Sequence, residues 1–358
     1  MTARDPIADL RRIAFLLERA NEATYRVRAF RSAAAALAAL PGRELADRAA
    51  AGKLTELPGV GEVTARCVVE SLAGEEPVYL RRLVATEGVD LDAAATALRA
   101  ALRGDCHTHS DWSDGGSPIE EMALAAVELG HEYLVLTDHS PRLKVARGLT
   151  ADRLRRQLDQ VAEVNAELPA GFRILTGIEV DILADGSLDQ EEELLARLDV
   201  VVGSVHSGLN DEPAKMTRRM LAAVTNPHLD ILGHCTGRMV SSRPAGVTGP
   251  GDRGHRARTR PESRFDAAEV FAACAEHGKA IEINSRPERQ DPPKRLIRQA
   301  LEAGCDFAVN TDAHAPGQLD WQRFGCVRAA LCGVPAERVV NTWPAERLLR
   351  WAAGHSAD

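Results

Sequence analysis

Two hydrophobic periodicities divide the chain. From residue 1 to about 80, apolar residues recur at helical spacing: Ile7, Leu10, Ile13, Ala14 and Leu17 mark one helix face, and an alanine-rich run from Tyr25 to Leu40 marks a second helix. Pro41-Gly42 ends that run, and Val63 to Leu72 reads as a further helix. From Gly104 to about Trp351 the pattern changes to short apolar runs separated by helical stretches. The runs near 104–109, 132–138, 173–181, 199–206, 229–234, 279–284 and 306–312 read as buried strands. The stretches between them, such as 118–129, 151–167 and 266–277, open on acidic or small polar residues, as helix starts do. Strand and helix in alternation predict a parallel sheet or barrel. Residues 81–103 read as a helical connector, with Asp90 or Asp92 capping a helix over 93–102. The predicted domains are therefore 1–80, all-α, and 104–358, α/β.

Composition narrows the picture only slightly. With 358 residues, 45% hydrophobic and 27% charged, the chain has room for two ordinary globular domains. A formal net charge of −8 supplies no global positive field, so any nucleic-acid contact must be local. The seven cysteines are odd in number and form no Cys-x-x-Cys pair, which argues against a disulfide framework and for a reduced, cytoplasmic setting. The first residues hold no apolar leader and no run reaches transmembrane length, so no membrane association is expected.

The chemistry concentrates at the ends of the predicted strands. His107 and His109 share one face of an extended segment, because side chains alternate with a period of two, and Asp114 follows closely. Later runs end in the same residue types: His139, Glu179, His206, His234, Asp312 and His314. In βα folds, chemistry sits at the carboxyl ends of the strands, so these groups are candidates for one metal site. Cys106 and Cys235 neighbour two of the histidines but point to the other face, as small buried apolar groups. Asp138 and Asp181 fit either an orienting partner of a ligand or a strand-end cap. His131, His228, His255, His277 and His355 read as surface residues. In the helical part, Leu57-Pro-Gly-Val-Gly61 opens a helix with N–H groups aimed outward, a place to receive phosphate at Gly59 and Gly61; the alternative is a plain turn in a small bundle. Charges there roughly cancel. Residues 241–263 are rich in Gly, Pro and Arg (Arg243, Arg253, Arg256, Arg258 and Arg260) and read as a solvated loop rimming the site, able to recruit a phosphate backbone. Val89-Asp-Leu-Asp92 has the outline of a polymerase Asp-x-Asp, but no Gly-Ser nucleotide motif precedes it and no room exists for a palm domain.

The settings of these residues, Asp-x-His-x-His-Ser, Ser-Asp-Gly, Thr-Asp-His-Ser, Gly-Ile-Glu-Val-Asp, Ser-Val-His-Ser, Gly-His and Asn-Thr-Asp-Ala-His, resemble the PHP (polymerase and histidinol phosphatase) family. Gly233-His-Cys-Thr-Gly-Arg238 and Glu282-Ile-Asn-Ser are similar to the PHP domain of bacterial family X DNA polymerases. Residues 7–72, with Tyr25-Arg-Val-Arg-Ala-Phe-Arg31 and the hairpin, resemble that family's N-terminal helix-hairpin-helix domain. The resemblance implies a distorted (βα)7 TIM-like barrel with three divalent metals at its mouth. It assigns His107, His109, Glu179 and Asp312 to the first, Glu179, His206 and His234 to the second, and Asp114, His139 and His314 to the third. Such ligands suit Zn, Mn or Fe. A water bridging two metals would attack phosphorus, with Glu179 and Asp312 catalytic as ligands; Arg238 and Arg286 are candidates to contact phosphate, the alternative being ordinary surface salt bridges. The expected function is a metal-dependent phosphoesterase, a 3′–5′ exonuclease or DNA end-processing enzyme, with DNA bound through residues 1–80 and a separate polymerase or repair protein as partner. The alternatives are a small-molecule phosphatase of histidinol-phosphate or nucleotide type, and a DNA-binding scaffold with an inactive barrel.

Overall fold

In the computed structural model, which describes residues 4–41, 43–85, 91–240 and 259–355, seven parallel strands lie side by side in chain order. They are β1 (Gly104–Thr108), β2 (Tyr133–Leu136), β3 (Arg173–Asp181), β4 (Val200–Ser204), β5 (Ile231–Leu232), β6 (Ala280–Asn284) and β7 (Phe307–Asn310). The first strand also meets the segment after the last. Thr108 bridges Ala313 in parallel, and His109 N donates to Ala313 O at 2.8 Å, so the sheet curls into a nearly closed barrel.

Alternation along the strands builds the interior in two layers. Tyr133, Val135, Leu175, Val200, Val202, Ile231, Ala280 and Ala308 form one buried apolar cluster, joined from below by Val340, Trp343 and Leu348. Further along the same faces stand Glu179 on β3, Ser204 on β4, Glu282 and Asn284 on β6 and Asn310 on β7, all fully buried. The barrel thus has an apolar floor at the amino ends of its strands and a polar ceiling at the carboxyl ends. The opposite faces, including Ile178, Val180, Val201, Leu232, Ile281 and Val309, pack against the surrounding helices.

The chain divides into two units, residues 1–90 with 316–318, and residues 91–315 with 319–358. The predicted connector 81–103 is therefore shared between them. Helix Val78–Val84 buries Leu80 in the helical unit, whereas Ala95 and Leu98 of helix Ala93–Ala101, and Leu102 just after it, belong to the barrel's core. Asp92 caps that helix, accepting from Ala95 N at 2.8 Å; Val89 and Asp90 lie outside the described residues. In the helical unit, Leu10, Ile13, Ala14 and Leu17 of helix Pro6–Arg19 pack with Phe30, Ala33, Ala34 and Leu37 of helix Thr24–Ala38. All seven cysteines are free and buried. Among the described residues no helix is long and apolar enough to cross a membrane.

Candidate metal centre

The carboxyl ends of the strands bring the nine predicted donors to one mouth. Glu179 lies at the centre. Its Oε1 stands 2.9 Å from His234 Nε2 and 3.3 Å from His206 Nε2; its Oε2 stands 2.8 Å from His139 Nδ1, 3.3 Å from His107 Nε2 and 3.6 Å from His109 Nε2. Around this core, Asp312 Oδ1 is 3.4 Å from His109 Nε2, and Asp114 Oδ1 is 3.3 Å from His314 Nε2 and 3.5 Å from His139 Nε2. Three groups have ligand atoms all within 4.8 Å of one another: His107, His109 and Asp312; His139, Glu179 and His206; and His109, Asp114, His139 and His314. These groups overlap at His109 and His139, where the family resemblance implies separate sets.

The donor atoms suit divalent ions. Two donors each about 2.1 Å from one tetrahedral ion stand roughly 3.4 Å apart, the separation found repeatedly here. His107 Nε2, both ring nitrogens of His109, His206 Nε2 and Glu179 Oε2 are buried and form no hydrogen bond among the described residues. Leaving such atoms without partners costs about 1–3 kcal/mol each, and an ion removes that cost.

Neighbouring charges prepare the donors. Burial works against charge on Glu179, yet the imidazoles of His107, His139 and His206 hold its carboxyl well below the usual carboxylate range. Asp312 is likewise buried and held low by Arg286 and Arg289. Burial and the nearby His314 and His139 push His109 well below the ordinary imidazole value. His206 goes the other way, to about 9, because Glu179 and Asp181 outweigh its burial. Divalent ions displace protons from such sites, so the proton distribution and the metal content are linked.

A second layer orients the first. Glu282 was not singled out as a site residue from the sequence. Its Oε1 is 2.6 Å from His107 Nδ1, which leaves Nε2 facing Glu179, and its Oε2 accepts from His234 N at 2.7 Å. The signal was present as a lone acid inside the apolar run 279–284. Asp181 accepts from His206 N at 3.2 Å and stands 3.6 Å from its Nδ1, an orienting position. Asp138 instead ties the loop after β1 to its surroundings: it accepts from Ser110 N and Oγ, Ser113 Oγ and Gln157 Nε2.

Above the donors opens a cavity of about 260 Å³, lined in part by Asp114, His139, Asp312, His314, Arg286 and Arg289. Arg286 Nη1 reaches Asp312 Oδ1 at 3.4 Å and His314 Nδ1 at 3.2 Å, with its guanidinium over Trp321. Arg289, which no sequence pattern marked, places Nε 3.0 Å from Asp312 Oδ2, and its buried Nη1 forms no hydrogen bond among the described residues. Arg238 is not part of this lining. Its backbone N donates to Asp291, and its guanidinium donates to the carbonyls of Arg289 and Gln290 and to Glu262. Its guanidinium thus ties down the turn that carries Arg289.

Other expectations also shift. His131 is buried, and burial lowers it to about 3; His355 Nδ1 pairs with Asp230 at 2.7 Å; the His228 side chain is largely covered. Only His277 is exposed as expected, and His255 lies outside the described residues. So do residues 241–258 of the arginine-rich stretch; Arg260, just beyond, pairs its backbone with Met239 and donates its guanidinium to Gly237 O.

At the hairpin of the helical unit, Gly59 has φ +86°, and a Cβ there would lie 3.2 Å from that of Ser32. Gly61 caps helix Glu62–Leu72, with its N–H donating to Thr64 Oγ1 at 3.0 Å and open space beside its Cα. One of the N–H groups expected to face outward is thus already partnered. In the arginine-rich helix, Arg31 pairs with Glu18 at 2.8 Å and Arg26 with Glu22 and Tyr79, while Arg28 is exposed.

Residues 105–286 match the PHP domain family, and residues 1–76 match a helix-hairpin-helix domain family. The chain is 38% identical over 240 residues to the DNA polymerase/3′-5′ exonuclease PolX of Bacillus subtilis, an alignment covering 67% of this chain and 39% of that protein. It is 30% identical over 251 residues to a probable phosphatase of Thermoanaerobacter sp. (strain X514), covering 66% and 89%. Among solved structures, the histidinol phosphate phosphatase of Lactococcus lactis complexed with zinc, L-histidinol and phosphate aligns with TM-score 0.44 and 19% identity, over 65% of this chain and 93% of that one.

Proposed function

The chain belongs to the PHP family of metal-dependent phosphoester hydrolases, and from that premise we propose that it removes nucleotides from DNA ends, working inward from the 3′ terminus. One observation carries this reading: a single chain joins a helix-hairpin-helix unit to a cluster of buried donors at ion-binding spacing. The similarity to an exonuclease-bearing polymerase over two thirds of this chain supports it.

In this reading His107, His109, Glu179 and Asp312 hold one ion, Glu179, His206 and His234 a second, and Asp114, His139 and His314 a third. Zn, Mn or Fe would supply Lewis acidity and a bound water whose pKa falls toward about 7. The protein's own part is positional. Glu179 turns one oxygen to His206 and His234 and the other to His139, His107 and His109, so it faces donors of all three sets. Glu282 fixes the His107 ring, and Asp181 that of His206. Arg286 and Arg289 put positive charge beside Asp312, where phosphoryl oxygens gain negative charge as the ester breaks.

The similarity to a probable phosphatase supports a second reading, hydrolysis of a small phosphate monoester. Rates on a 5′-labelled single-stranded oligonucleotide, compared with mononucleotides and histidinol phosphate, separate the two. A ladder shortening from the 3′ end is expected; turnover of the small esters alone would favour the phosphatase. Metal analysis before and after chelation tests the shared premise, with loss of all turnover expected on removal.

A further inference from the structure

The cavity over the donors is small for its proposed substrate. Clefts that enclose a whole small-molecule ligand have about 300–1,000 Å³, and this one has about 260 Å³. A phosphate fits, while the nucleoside attached to it must rest on the rim. The rim is apolar at two places: Leu143 and Met239 line the same cavity as the donors and guanidinium groups.

Leu143 belongs to the turn that follows His139, and that turn is pinned along its length. Leu143 N donates to Ser140 O, Arg142 N to Asp189 Oδ2 at 2.6 Å, and Leu149 N to His139 O at 2.7 Å. Arg147 adopts a left-handed conformation (φ +58°) and donates to Asp111 O and Ser113 O. Gly148 passes so close to Ser140 O that a Cβ would lie 1.8 Å away. A turn fixed this firmly holds the backbone of its outward residues in one place. Those are Arg142, Lys144 and Val145, all exposed, the last at 90%. Among the described residues, Arg142 meets Asp189 only through its backbone N–H, which leaves its guanidinium for solvent or a ligand.

Resting on the nuclease reading above, we propose that this turn is a seat for a single nucleic-acid strand. Leu143 lies against the sugar and base of the nucleotide whose phosphate sits at Arg286 and Arg289, and Arg142 and Lys144 take phosphates farther along the chain. Single-strand binders combine cations along the backbone with side-chain faces, most often aromatic, against the bases; here Arg142 and Lys144 supply the cations and the aliphatic Leu143 the face.

The test uses the full chain loaded with manganese and the double variant Arg142→Glu/Lys144→Glu, with Arg142→Ala/Lys144→Ala as a milder control. On a labelled single-stranded oligonucleotide, kcat/KM should fall at least about ten-fold, and the slope of log affinity against log salt should flatten by about 1.4, about 0.7 for each phosphate that no longer meets a cation. Hydrolysis of p-nitrophenyl phosphate, too short to reach the turn, should change less than about two-fold. Equal losses on both substrates, or an unchanged salt slope, would overturn the proposal. Anisotropy of a phosphorothioate oligonucleotide reads the same difference without cleavage. If wild-type protein binds that oligonucleotide through the turn yet hydrolyses only small esters, the nuclease reading fails and the seat stands. If the variants bind it as tightly as wild type, the seat fails and the nuclease reading stands.

Discussion

The mouth of the barrel and the hairpin of the helical unit both offer polar groups to a ligand, but under opposite conditions. At the mouth, imidazole nitrogens and a carboxylate oxygen are buried and form no hydrogen bond among the described residues. At the hairpin, Val60 N and Gly61 N have partners inside the protein, and the surface around Gly61 and Glu62 is exposed. Water satisfies an exposed N–H at no cost, whereas a buried donor or acceptor without a partner destabilises the fold. The first arrangement leaves donor atoms that an ion would satisfy. The second has its N–H groups satisfied without any ligand.

That contrast can be broken or sharpened by four substitutions. Glu179→Gln removes the carboxylate that faces both halves of the cluster, and turnover of any phosphoester should fall by about 1,000-fold or more; activity near wild type in a steady-state assay would sink the shared-ligand role. Glu282→Gln keeps the shape but loosens the His107 ring, and calorimetric titration should show metal affinity about 10–100-fold weaker. Gly59→Ala forces a Cβ into a left-handed backbone beside Ser32, at about 1–2 kcal/mol of helical-unit stability; a lower thermal midpoint with unchanged p-nitrophenyl phosphate turnover is expected. Gly61→Asp keeps a good helix cap and adds a negative charge where phosphate would approach. DNA affinity at low salt should drop about five-fold, near 1 kcal/mol, with no loss of stability. Unchanged affinity would mean that the hairpin does not touch DNA.

The same contrast explains what was legible beforehand. Histidines and acids ending successive apolar runs could be read because strand periodicity fixes which way they face, and the strand ends fix where they meet. Glu282 and Arg289 were harder to find. An inward acid in an apolar strand declares itself only when its partner, His107 on β1, is known to be adjacent. The partners of Arg238 were equally hidden, because sequence does not show that Asp291 anchors its backbone and that its side chain runs along residues 289–290. His131 and His355 were read as surface because loops and helix ends carry no period that reports burial. In the helical unit, spacing alone showed the packed faces, but not that Arg26 and Arg31 would be used within the unit.

The layered interior has a consequence for how such a chain can diverge. On β3, Leu175 of the floor and Glu179 of the ceiling share a face at even spacing, as do Ala280 and Glu282 on β6. Inserting one residue ahead of such a pair would turn packing and chemistry outward together, since a slip of one reverses every side chain of a strand. Length changes within the strands are thus doubly punished, and new specificities must arise in the connecting loops, where additions alter what reaches the ions without moving them.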